Sequence, residues 1–156
     1  MITGIHHANC TVSDMDRSIA FYRDMLGLRL LYMFEHGDKK PVHPSGKSGT
    51  GIGGAYLKLA VFQAGDKPDD RFELIQYVTP KGKPYDRRQR CDVGMHICFL
   101  VDDVYKTYDE LVKKGVKFST PPNEIKKGPM SGFIWCYFTD PDGLPLEIAQ
   151  IVSGNP

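Results

Sequence analysis

Two segments of this chain repeat each other, and the repeat limits the fold more than any other feature. His7-Ala-Asn-Cys-Thr-Val12-Ser-Asp14-Met15 aligns with His96-Ile-Cys-Phe-Leu-Val101-Asp-Asp103-Val104, so each His is followed by Val after five residues and by Asp after seven. Downstream, Glu73-Leu-Ile-Gln76 and Glu147-Ile-Ala-Gln150 both read Glu-x-x-Gln within an apolar run. A period this long marks a duplicated supersecondary unit, and the fold has to be built from two copies of it.

Each copy reads as strand, helix, glycine stop and further strands. Ser18-Ile-Ala-Phe-Tyr22 through Leu26 has helical spacing, as does Thr107-Tyr108 through Leu111. Ser13 or Asp14, and Asp102 or Asp103, are the residue types that cap helix starts. Gly27 and Gly115 suit the left-handed position that closes one. These glycines lie 20 and 19 residues after their His, an offset of one. Leu28 to Tyr32 and Val116 to Ser119 are expected as strands after the helices. Tyr56 to Phe62 leads by a polar turn into the Glu73 strand, and Phe133 to Phe138 leads through Asp140-Pro-Asp-Gly143 into the Glu147 strand. The expectation is an α+β chain of two βαβββ modules, 2–79 and 92–152, within a single domain spanning 1–156. Pro80 to Asp92 is polar and basic, a linker by composition. The His-to-Glu interval is 66 residues in the first module and 51 in the second, the surplus falling in the Gly/Pro-rich stretch His36 to Gly54. Modules this small bury too little surface to be stable alone, so one cooperative structure is expected.

Strand alternation turns the repeat into chemistry, because residues two apart share a face. His7 shares a face with Asn9 and Thr11, His96 with Cys98 and Leu100, Glu73 with Ile75 and Tyr77, and Glu147 with Ala149 and Ile151. One His and one carboxylate then occupy equivalent places in each module. If the sheets curve around a shared cleft, the four converge. A lone strand His is ordinarily a hydrogen-bonded core residue and a lone strand Glu ordinarily faces water, but that reading leaves the duplication of both unexplained. Isolated carboxylates are costly to bury unless paired or bound to metal, and a set of two nitrogens and two oxygens suits a divalent transition ion such as Zn, Ni, Co, Fe or Mn.

The run His7 to Leu28 with Phe21-Tyr22 and Leu26-Gly27, the Gly94-Met-His96 strand, and Phe138-Thr-Asp140-Pro-Asp-Gly143 with Leu146-Glu147 resemble the vicinal oxygen chelate superfamily over nearly the whole chain. That resemblance implies paired βαβββ modules in a half-open mixed β barrel around one divalent metal ion per site, in homodimers. It places His7, Glu73, His96 and Glu147 on the metal-ligand positions. Glu147 matches the carboxylate that serves as ligand and base in glyoxalase I, and Glu73 is the catalytic candidate on the opposite side. The implied chemistry is proton transfer next to a metal-chelated carbonyl, through an enediolate or enolate, on a small thioester or hemithioacetal: a lyase of lactoylglutathione lyase type or an isomerase of methylmalonyl-CoA epimerase type.

Alternatives from the same superfamily are an extradiol ring-cleavage dioxygenase and an antibiotic-binding or resistance protein. Extradiol iron sites generally use two His and one carboxylate, so Glu73, as a fourth ligand, favours proton transfer. Pure sequestration of a drug needs no metal and leaves these positions free to be apolar. Against a standard epimerase, Gly49-Thr50-Gly51-Ile52 lacks an acidic residue before its third strand. Arg87, Arg88, Arg90, Lys126 and Lys127 are available to meet glutathione carboxylates, although solvated loop positions are the ordinary reading of each.

Composition narrows the remainder. Twenty Lys and Arg against 19 Asp and Glu give a net charge of +1, with no general field for nucleic acid or an anionic membrane. No apolar run approaches the roughly 20 residues of a span, and Met1 to His6 show no secretory pattern, so a cytoplasmic protein acting on a small molecule is expected. Cys10, Cys91, Cys98 and Cys136 have no CxxC spacing and read as reduced thiols. Gly46-Lys47-Ser48 is not a phosphate loop, since Pro41 stands where the first glycine belongs. Gly49, Gly51, Gly53 and Gly54 suggest a lid or turn. His6 is expected on the face opposite His7, His36 and His43 fall in the variable loop, and Tyr77, Trp135 and Tyr137 line either pocket or core.

Overall fold

The computed structural model describes residues 6–36, 52, 54–67, 70–83, 95–128 and 130–152. His43, Gly46-Lys47-Ser48, most of the Gly49 to Gly54 segment, and the linker residues Arg87, Arg88, Arg90, Cys91 and Gly94 lie outside them. The chain divides into two compact units, Met1–Tyr85 and Asp86–Pro156.

In the first unit β1 (His7–Thr11) leads into helix α1 (Met15–Ile19), then β2 (Arg29–His36), β3 (Tyr56–Gln63) and β4 (Arg71–Thr79). In the second, β5 (Ile97–Leu100) leads into α2 (Val104–Lys113), then β6 (Asn123–Glu124), β7 (Phe133–Thr139) and β8 (Pro145–Ile151). The sheets are ordered β1-β4-β3-β2 and β5-β8-β7-β6, the first pair parallel and the other two antiparallel in each. Each unit is the expected mixed βαβββ sheet. Among the described residues no helix is long and apolar enough to cross a membrane.

The helix starts repeat in atomic detail. Asp14 accepts from Arg17 N–H and Asp103 from Lys106 N–H, both at 2.9 Å, so the second residue of each candidate pair is the cap. Gln76 Oε1 accepts from Met15 N–H at 2.9 Å, and Gln150 Oε1 from Val104 N–H at 3.0 Å. This gives Glu-x-x-Gln its physical meaning. Three residues apart on a strand means opposite faces, so the Gln holds the helix of its unit while the Glu faces away from it.

The one-residue offset between the glycines also has a cause. After Ile19 the first helix widens into a π-helical segment, Ala20–Met25, in which Leu26 N–H reaches back to Phe21 C=O. A π segment absorbs one extra residue without breaking the helix. Gly27 (φ +79°) and Gly115 (φ +91°) then close both helices in the left-handed region.

The cores lie between helix and sheet. Tyr22 meets Phe72 at 4.8 Å and Phe62 at 6.2 Å between ring centroids, with Met15, Leu74 and Val61 fully buried beside them. In the second unit Phe118 bridges Tyr108 (4.6 Å) and Phe138 (5.0 Å) over buried Val104, Cys136 and Leu146. Phe118 packs as a strand residue would, but the expected strand Val116 to Ser119 reduces to a single bridge, Phe118 to Phe138, and pairing resumes only at Asn123. Pro121 and Pro122 intervene, and neither can donate a ladder hydrogen bond.

Candidate metal centre

In both units the same register brings His and Glu together. Asn9 on β1 lies opposite Glu73 on β4, and Cys98 on β5 lies opposite Glu147 on β8. The His two residues before each, His7 at the start of β1 and His96 just ahead of β5, reaches diagonally to the carboxylate. His7 Nε2 is 3.5 Å from Glu73 Oε2, and His96 Nε2 is 2.9 Å from Glu147 Oε2. The ordinary reading of a strand His and a strand Glu is reversed: the imidazoles are partly exposed, 39% and 43%, and the carboxylates are sheltered, 15% and 5%.

The surroundings of the two carboxylates differ. Glu147 is flanked across the sheet by Cys98 and by Tyr137, and the Tyr137 ring meets His96 edge-on at 5.3 Å. Loss of hydration, the negative Glu147 and the bond donated to that carboxylate push the Cys98 thiol up to about 12. Burial and then Glu147 push Cys136 equally far. Both are thiols at neutral pH, and Cys98 acts as a hydrogen-bond donor to Glu147. Glu73 is flanked by Asn9 and Val61. The Asn9 Nδ2 group is buried with no hydrogen-bond partner among the described residues.

His6 departs from expectation. It precedes β1, so strand alternation does not govern it, and its ring stands at 86° to His7 with Nδ1 2.9 Å from His7 Nδ1. His6, His7 and Glu73 each bring a ligand-type atom within 4.8 Å of the others, the one such group of three among the described residues. The signal in the sequence is the adjacency of the two His, which alternation hides only if β1 starts before His7. Of the aromatic candidates, Tyr137 touches a site His, whereas Trp135 stacks on Phe133 at 5.8 Å. Lys126 and Lys127 are exposed loop residues.

Residues 4–148 match the sequence profile of the glyoxalase/bleomycin resistance protein/dioxygenase superfamily. The chain belongs to this superfamily. Its relatives include a protein named 2-epi-5-epi-valiolone epimerase from an Actinomyces species, 28% identical with 97% of this chain and 81% of that protein covered. Another, a probable lactoylglutathione lyase from Synechocystis, is 29% identical over 94% of this chain and 95% of its own length. A glyoxalase-family structure from Bacillus cereus superposes with a TM-score of 0.74 at 19% identity, covering 98% of this chain and 97% of that one, which speaks for the fold alone.

Members of the glyoxalase superfamily commonly use a divalent metal, and the donor atoms here suit one. Ligand bonds of about 2.1 Å put neighbouring donors roughly 3.0 Å apart at right angles and about 3.4 Å apart in a tetrahedron. Separations of 2.9 and 3.5 Å between His nitrogen and carboxylate oxygen match two ligands on one ion. A cation would also offset the charge of a sheltered carboxylate such as Glu147.

Proposed function

We propose that this superfamily member is a metal-dependent lyase or isomerase that moves a proton beside the carbonyl of a small substrate. His7, Glu73, His96 and Glu147 are the proposed ligands of one divalent ion per site. The observation that carries the reading is the duplicated His and Glu pair, set in the same register of two equivalent sheets at ligand-type separations. A bound ion would act as a Lewis acid toward the substrate carbonyl.

The protein groups divide the remaining work. Glu147 is the proton acceptor: Cys98 donates a hydrogen bond to it and His96 lies beside it, which holds its orientation. Glu73 is the second carboxylate proposed to move a proton, as an isomerase requires. Relatives named epimerase and lactoylglutathione lyase both support proton transfer rather than oxygen insertion, and a fourth protein ligand leaves less room for a diol and oxygen together. Thioesters, hemithioacetals and hydroxyketones are the substrate classes to examine, with the protein as a cytoplasmic homodimer. The test is solvent-deuterium exchange into such compounds by metal-loaded protein. Label entering the position next to the carbonyl supports the reading. Exchange no faster than with chelated protein, across all three classes, refutes it.

A further inference from the structure

We propose that His6 is a positioning residue that fixes the ring and tautomer of His7, so that His7 offers Nε2 to the ion. The inference rests on the reading of His7 as a metal ligand and deepens it. The two ring nitrogens of His7 face different partners: Nε2 lies 3.5 Å from Glu73 Oε2, and Nδ1 lies 2.9 Å from His6 Nδ1. A neutral imidazole has one N–H and one lone pair. Two ring nitrogens at 2.9 Å therefore need one to donate and the other to accept.

When His7 Nδ1 donates, its Nε2 lone pair is free on the Glu73 side, as a cation requires. When His6 donates instead, His7 carries its proton on Nε2, where a metal cannot bind. An ion therefore selects the first arrangement, with His6 as acceptor. A metal-bound His commonly donates its other N–H to a carboxylate, a carbonyl or water, and that partner fixes tautomer and orientation. In this chain a second imidazole fills that place, with its ring plane held at 86° to the first. Among the described residues of the second unit no imidazole takes this place. Met95 precedes His96 there, a thioether in place of a ring nitrogen, and His96 meets the edge of Tyr137 instead.

The test uses zinc alone on the full chain, comparing wild type with His6→Ala and His6→Asn, each checked for folding by far-UV circular dichroism. Zinc affinity is read by competition with a chromophoric chelator, and His7 protonation by long-range proton–nitrogen NMR of the zinc-loaded protein. We expect His6→Ala to bind zinc about 10- to 100-fold more weakly, and His6→Asn to recover most of that loss because its Oδ1 can accept from His7 Nδ1–H. In wild type, His7 should be protonated at Nδ1 and metal-bound at Nε2. Unchanged affinity in His6→Ala, or zinc on Nδ1 of His7, overturns the proposal. So does a His6 nitrogen shifted by direct zinc ligation, which makes His6 a ligand. Wild type that binds no zinc overturns the metal reading itself, an outcome distinct from wild type and His6→Ala binding equally.

Discussion

Replacing Gln76 by Ala should loosen the helix of the first unit, by an amount that follows from its bonds. Gln76 accepts from Met15 N–H at 2.9 Å and donates to Ser13 C=O at 3.1 Å. Each such bond contributes about 0.5–1.5 kcal/mol net, so losing both costs about 1–3 kcal/mol. Met15 is 1% exposed; water cannot readily satisfy its N–H, and the upper half of the range applies. For a chain of this size a loss of about 2 kcal/mol lowers Tm by roughly 4–8 °C. Gln76→Glu divides the two bonds. It keeps an acceptor for Met15 N–H and adds negative charge at a helix start, which is favourable there, but loses the donor to Ser13. Its loss should be about half that of Gln76→Ala. Urea melts of metal-free protein followed by far-UV circular dichroism provide the measurement. A Gln76→Ala loss under about 0.5 kcal/mol, below the value of a single hydrogen bond, refutes the reasoning.

Glu147→Gln should lower deuterium exchange per bound ion by about 10²- to 10⁴-fold, the range for a removed general base, with metal content measured alongside because Glu147 is also a proposed ligand; undiminished exchange per bound ion counts against Glu147 as the base. Because Cys98 and Cys136 sit at about 12, only about one thiol in ten thousand is ionised at pH 8. In metal-free protein the exposed Cys98 should resist iodoacetamide at that pH and gain reactivity only as pH rises well above it, read by peptide mapping, whereas the fully buried Cys136 should stay unmodified while the fold is intact; a Cys98 midpoint near 9 contradicts the environment described. Gly132→Ala should destabilise more than Gly27→Ala in thermal melts. Both positions have positive φ, costing about 1–2 kcal/mol for a side chain, but a Cβ at Gly132 also meets Val152 O at 2.6 Å whereas Gly27 has open space. Trp135, the sole tryptophan, lies in the second unit. Its fluorescence should follow the same unfolding midpoint as circular dichroism if units this small do not fold separately.

The duplication was legible because it is written in residue types that do local work. Asp14 and Asp103 cap, and Gly27 and Gly115 close. What escaped depends on backbone hydrogen bonding that has no residue signature. The π-helical segment appears in the sequence only as an offset of one between two glycines. Asn123 and Glu124 were too short and too polar to read as a strand, while Phe118 had the look of one and makes a single bridge. Gln76 and Gln150 were visible as a repeated pattern, but their bonds to helix starts span 61 and 46 residues. His6 escapes the alternation rule because β1 begins at His7.

The central claim is that the duplicated His and Glu residues hold a divalent ion. Elemental analysis of folded protein, loaded with zinc, cobalt, nickel, manganese or iron and freed of excess, tests it most directly. The account predicts one tightly held ion per chain with at least one of these metals, and its loss in both His7→Ala and His96→Ala. A folded wild-type protein that retains no stoichiometric ion, or a His7→Ala variant with unchanged metal content, contradicts it.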